Sequence, residues 1–168
     1  MSLLKLINNY TRFNAWANNE IIQWLQQVDT AFLYQETPSS FKSLDFTLQH
    51  ILRAQKFWLA FITDKETKNF NWSVRPNEVE NILRELGEVS IQMQDQFAFF
   101  TEAQMNDMMV LNEKWMQNSL SRYEYIIHVI NHSSFHRGQL ITMARTLGIT
   151  EGIVNTDYND FNTLNQKG

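Results

Sequence analysis

The sequence predicts an all-α protein, a four-helix bundle. Three observations point there. Four long segments repeat their apolar residues at three- and four-residue steps, the period of one helix face. With only 5 Gly and 2 Pro in 168 residues, the chain has too little turn punctuation for many short strands. A 43% hydrophobic, 19% charged composition at this length supplies one buried core, so residues 1–168 read as a single domain.

The first helix is expected over about residues 3–27, with Leu3, Leu6, Tyr10, Phe13, Ala17, Ile21 and Trp24 on one stripe. Residues 28–39 read as a connector, and Thr37-Pro38-Ser39-Ser40 as a helix start. In the second helix, about residues 40–63, Leu44, Leu48, Ile51, Gln55, Trp58 and Ile62 form one stripe. Thr47, His50, Ala54, Phe57 and Phe61 form another beside it, which makes a wide apolar face and a well-buried helix. A polar loop, DKETKNFNWSVR, follows. The third helix begins near Pro76, whose ring suits a first turn, and runs through Val79, Ile82, Leu86, Val89, Met93, Phe97 and Phe100. Residues 103–119 fit either a short extended piece or a loop covering a site. The fourth helix spans about residues 121–147, with Gly148 as its C-terminal cap. The tail, residues 149–168, is polar and expected to lie along the surface.

Charge and composition exclude several functions. A formal net charge of −4 with no Lys/Arg run leaves no footprint for nucleic acid. The absence of cysteine removes disulfides, thiolate metal sites and a cysteine nucleophile, and suits a cytoplasmic location. No apolar window approaches a membrane span, and the N-terminus lacks a signal-peptide pattern. The phosphate-loop, nucleophile-elbow and dinucleotide glycine patterns are all missing. So are His-Glu-x-x-His, Glu-x-x-His and Cys-x-x-Cys-His, which argues against a zincin protease, a di-iron bundle and an attached haem.

What remains is histidine. Three of the four histidines lie at His128, His132 and His136 on the fourth helix. Side chains four apart share a face, so His132/His136 and His128/His132 are each spaced to grip one ion. All three together are not, because His128 and His136 stand about 12 Å apart along the axis. A third ligand must come from elsewhere, and His50, set in the apolar face of the second helix, is the remaining candidate. Three histidines would leave a fourth position for water or substrate, the pattern of a catalytic rather than a closed structural centre. His128 reads as a packing or hydrogen-bonding residue.

The segment His128 to Leu140, HVINHSSFHRGQL, resembles the signature of the DinB/YfiT superfamily, an Asn-His followed after three residues by His-Arg-Gly-Gln. Tyr10 to Leu25, Leu48 to Leu59 and Val154 to Tyr158 resemble the family's first helix, second helix and tail, so the likeness spans nearly the whole chain. The resemblance implies a four-helix bundle, often a homodimer, that binds one divalent metal ion, zinc or nickel, through His50, His132 and His136. The family so resembled is distinct from the translesion polymerase of the same name. Some similar proteins transfer low-molecular-weight thiols such as bacillithiol or isomerise maleylpyruvate with a thiol cofactor. A metal-dependent thiol transferase or hydrolase is therefore the leading expectation, and a non-catalytic metal-binding or dimerisation module with a stress-related role the alternative. Of the other motif residues, Arg137 is expected to be an ion-pair partner within the bundle or an interface. Gln139 is placed to support His136, while Asp45 and Asp157 are candidates to accept an imidazole proton or orient a ligand.

Overall fold

The computed structural model describes residues 2–73 and 78–166. Four long helices run as predicted: α1 (Leu3–Leu25), α3 (Leu44–Ile62), α4 (Val79–Ala98) and α6 (Arg122–Thr146). Short elements fill the connections: α2 (Thr30–Tyr34), α5 (Glu102–Asn106), strands β1 (Met108–Glu113) and β2 (Met116–Ser121), and α7 (Tyr158–Gln166). The helix start expected at Pro76 falls outside the described residues.

Each long helix packs against two others. α1 lies on α4 and α6, and α3 lies on the same two from the other side, so the four enclose one core. The stripes read from the sequence mostly face inward: Ile21, Leu48, Ile51, Phe57, Ile62 and Phe97 are fully buried, whereas Leu6 is exposed and its neighbour Ile7 takes the core position. Local chemistry sets the ends. The Ser2 hydroxyl accepts from the Lys5 amide at the start of α1, and Glu124 reaches back to the Ser121 amide (2.8 Å) at the start of α6. α6 stops at Gly148, whose φ of 82° is open to glycine and costly for an L side chain. Gly148→Ala is expected to cost about 1 kcal/mol through that φ alone, because an added Cβ would meet nothing within 4 Å. A urea melt would measure it.

Polar residues cross the middle of the core. Asn18 of α1 donates to Ser90 of α4 (2.9 Å), Ser90 to Gln55 of α3 (3.0 Å), and Gln55 to Ser133 of α6 (3.0 Å). Gln55 therefore belongs to the buried face, as its stripe position indicated, but as a crosslink joining all four helices. Buried amides and hydroxyls are tolerated there because each finds a partner.

Two connections differ from expectation, and a third takes the extended form that the sequence offered as one of two readings. The 28–39 connector contains the turn α2, capped by Asp29 on the Ala31 amide (2.9 Å). The second helix begins at Leu44 rather than near 40, because Ser43 is extended and its hydroxyl donates to the Asp45 carboxylate. The ambiguous 103–119 region is an antiparallel hairpin whose two-residue tip is Lys114-Trp115. Met109 and Leu111 point inward while Met108 and Val110 point out, the alternation of a half-buried strand.

The tail also departs from a purely surface course. Phe161 of α7 is buried and packs edge-on against Phe13 (5.9 Å) and beside Trp16 (5.6 Å), while the Tyr158 hydroxyl accepts from Asn9 (2.8 Å). A polar average concealed two aromatic anchors. Among the described residues no helix is long and apolar enough to cross a membrane.

Candidate metal centre

The packing of α3 against α6 brings His50 opposite the pair His132 and His136. His132 Nε2 lies 3.0 Å from His50 Nε2 and 3.2 Å from His136 Nε2. One ring nitrogen from each of the three falls within 4.8 Å of the others. Two ligands bound at 2.0–2.1 Å with a tetrahedral angle between them stand about 3.3 Å apart, close to both separations. Three lone-pair atoms converging on one point repel unless a cation or a proton lies between them. The three side chains are thus positioned to hold a metal ion.

The surroundings fit that role. His136 Nδ1 lies 2.7 Å from the Gln139 side-chain oxygen, and the Gln139 amide nitrogen donates to Ser40 Oγ (2.8 Å). With the amide oxygen facing the ring, Nδ1 carries the proton and Nε2 keeps its lone pair. Gln139 is therefore a direct support of His136, as its three-residue offset suggested. Phe41 lies over the cluster, its ring 4.5 Å from His50 and 5.6 Å from His136. His132 Nδ1 is buried with no hydrogen-bond partner among the described residues, which leaves Nε2 as the working face of that ring.

Burial keeps these imidazoles neutral. Desolvation, reinforced by the His136 ring and then by Arg53, lowers the His50 pKa from 6.5 to about 4. Desolvation and the neighbouring His136, His50 and His128 rings lower His132 to about 3. Lone pairs are consequently free for a cation across the neutral range. Linkage follows with a definite sign. Below pH 6.5 the unfolded chain takes up protons that the folded rings refuse, so protein stripped of metal should lose stability as pH falls from 6.5 toward 4. Its thermal midpoint should drop between pH 7 and pH 5, and His132→Ala should show a smaller drop; equal drops would remove the histidines as its cause.

The other candidates separate cleanly. His128 stands one turn before His132, its ring centroid 6.0 Å away and edge-on to Trp58 at 4.8 Å, outside the converging group. Among the described residues Arg137 has no ion-pair partner, contrary to expectation. It is 1% exposed and donates to the side-chain oxygens of Asn14 (3.1 Å) and Asn18 (2.8 Å) on α1, and to Ser134 Oγ (2.7 Å). Asp157 is exposed, and its carbonyl accepts the Asp160 and Phe161 amides at the start of α7, so its position in the chain serves that helix. The partner found for an imidazole proton is Gln139, whereas Asp45 is engaged by Ser43. Asn131 of the motif accepts from the Tyr10 hydroxyl at 2.6 Å, a further tie to α1.

A family model, the DinB family, matches residues 1–167. The chain belongs to the DinB family. Protein DinB of Bacillus subtilis (strain 168) is 23% identical over 154 residues, covering 87% of each chain. The crystal structure of a DinB-like protein from Bacillus cereus ATCC 10987 superimposes with a TM-score of 0.64 at 18% identity, covering 83% of this chain and 91% of that one. A DinB-like protein from Bacillus subtilis gives 0.65 at 15% identity, with 84% and 93% covered. At such identities these structures carry the bundle fold alone.

In this DinB-family chain two of the three converging histidines, His50 and His132, border a cavity of about 390 Å³ that sequence reasoning did not find. His50, His128 and His132 line it together with Trp58, Trp72 and Trp115. The indoles come from α3, from the segment after α3 and from the hairpin tip, which share no spacing pattern. The one available signal was compositional, a loop and a hairpin turn that each carry a lone tryptophan among polar residues.

Proposed function

We propose that this DinB-family protein is a metal-dependent enzyme in which His50, His132 and His136 bind one divalent ion and leave a position open for a reacting group. One observation supports this above the rest: two of the three converging histidines, His50 and His132, line an apolar cavity rather than a closed core. A closed structural site has no use for such a chamber, while a reaction needs a place for its substrate. The ion, zinc or nickel, supplies Lewis acidity toward a thiol or water. Gln139 holds the Nδ1 proton of His136, which fixes the ring. Phe41 covers the cluster, and the indoles give the chamber its apolar lining. A low-molecular-weight thiol as co-substrate, thiol transfer or hydrolysis as the reaction, a homodimer as the assembly and the cytoplasm as the compartment belong to the same proposal.

The second reading is a non-catalytic metal-binding or dimerisation module. It draws on the cluster itself, which among the described residues contains three histidines and no carboxylate to act as a base. Elemental analysis of untagged protein, followed by assays of each metal form with a panel of thiols and electrophiles, separates the two. Stoichiometric metal with turnover favours the enzyme, stoichiometric metal with no turnover in any form favours the module, and no metal sinks both.

A further inference from the structure

The chamber beside the trio has a chemistry of its own. Three of the chain's five tryptophans wall it. Trp115 stands at 89° to Trp58 (6.1 Å) and at 87° to Trp72 (6.0 Å), so the indoles form a corner rather than a stack. Such a corner offers a face and an edge to a flat ring, the two geometries aromatic pairs prefer. None of the lining side chains is charged. His128 enters the same wall edge-on to Trp58, and among the described residues neither of its ring nitrogens has a hydrogen-bond partner.

We propose that this cavity is the subsite for a flat, uncharged aromatic group of the molecule handled at the histidine trio, with His128 hydrogen-bonding its polar substituent. The inference rests on the metal-centre reading for what lies next door, and on the cavity alone for the ligand's chemistry. An aromatic box can also hold an onium cation. Here the box lacks a carboxylate, and a divalent ion bound at the trio would repel such a ligand. An anionic group would be drawn to that ion and out of the apolar corner. The volume, about 390 Å³, suits a small aromatic molecule. A half-exposed Trp115 at a two-residue hairpin tip gives the chamber a wall that can shift to admit one.

Calorimetric titration of the zinc-loaded protein with p-cresol, with toluene and with tetramethylammonium tests this, repeated on protein stripped of metal. p-Cresol should bind one per chain with or without metal, toluene more weakly, and tetramethylammonium not measurably. Trp115→Ala, with its far-UV circular dichroism unchanged, should weaken p-cresol and toluene alike, each by about tenfold. His128→Phe keeps the ring against Trp58 and should lower p-cresol to the level of toluene while leaving toluene unchanged. Unchanged p-cresol affinity in Trp115→Ala, tighter binding of tetramethylammonium than of p-cresol, or p-cresol insensitive to His128→Phe would each overturn the proposal. Failure of the metal reading looks different: p-cresol binding would persist while metal uptake and turnover were absent.

Discussion

His132→Ala is expected to abolish stoichiometric metal uptake. His132 Nε2 is the atom that faces both partners, at 3.0 Å from His50 and 3.2 Å from His136, so its removal takes the middle of the site. The loss should exceed the roughly 10- to 100-fold that removal of a supporting hydrogen bond costs, since a ligand itself is gone. His50→Ala and His136→Ala should follow it closely. Gln139→Ala should fall within the supporting range, because it frees the His136 ring without deleting it. His128→Ala should leave metal uptake near that of the unaltered protein, and an equal loss there would refute the ligand assignment. Inductively coupled plasma analysis after dialysis against a weak chelator reads all five. None should lose helix by circular dichroism, because the core is carried by buried apolar residues such as Ile51, Phe57 and Ile130 rather than by the imidazoles.

The largest loss of stability is expected at Arg137→Ala. This guanidinium is buried among neutral partners, with its charge spread over Asn14, Asn18 and Ser134 and the Phe13 ring 5.5 Å away. Burial lowers its pKa to about 10, which still leaves it charged at neutral pH. Two effects oppose each other on truncation. Removing a buried charge relieves desolvation, while two buried amide oxygens lose their donors and a cavity opens between α1 and α6. The second should win, because both terminal guanidinium nitrogens already have acceptors even though Nε has none among the described residues, giving a net cost of about 3 kcal/mol. For a chain of this size that corresponds to a fall in Tm of about 6–12 °C. Arg137→Lys should also destabilise, since an ammonium cannot reproduce the fork that spans α1 and Ser134. A Tm unchanged in both variants would show that α6 is held to α1 by apolar contacts alone.

The sequence by itself determined the four long helices, the cap at Gly148 and the motif that places the chain in its family. Those features are local: a 3.6-residue period, a glycine at positive φ and a run of thirteen residues are complete within one segment. The spacing of His132 and His136 was legible for the same reason. Other features depend on which faces meet. Arg137 could be placed on a helix but not among asparagines of α1, and Gln55 looked like one more stripe position until Ser90 and Ser133 came to either side of it. An extended piece near residues 103–119 was one of two readings, but the hairpin was not legible, because strand pairing is a relation between two segments, each too short to declare itself. The chamber hid more completely still. Trp58, Trp72 and Trp115 share no period, and only the packing of α3, its following loop and the hairpin tip turns them into one wall beside three histidines.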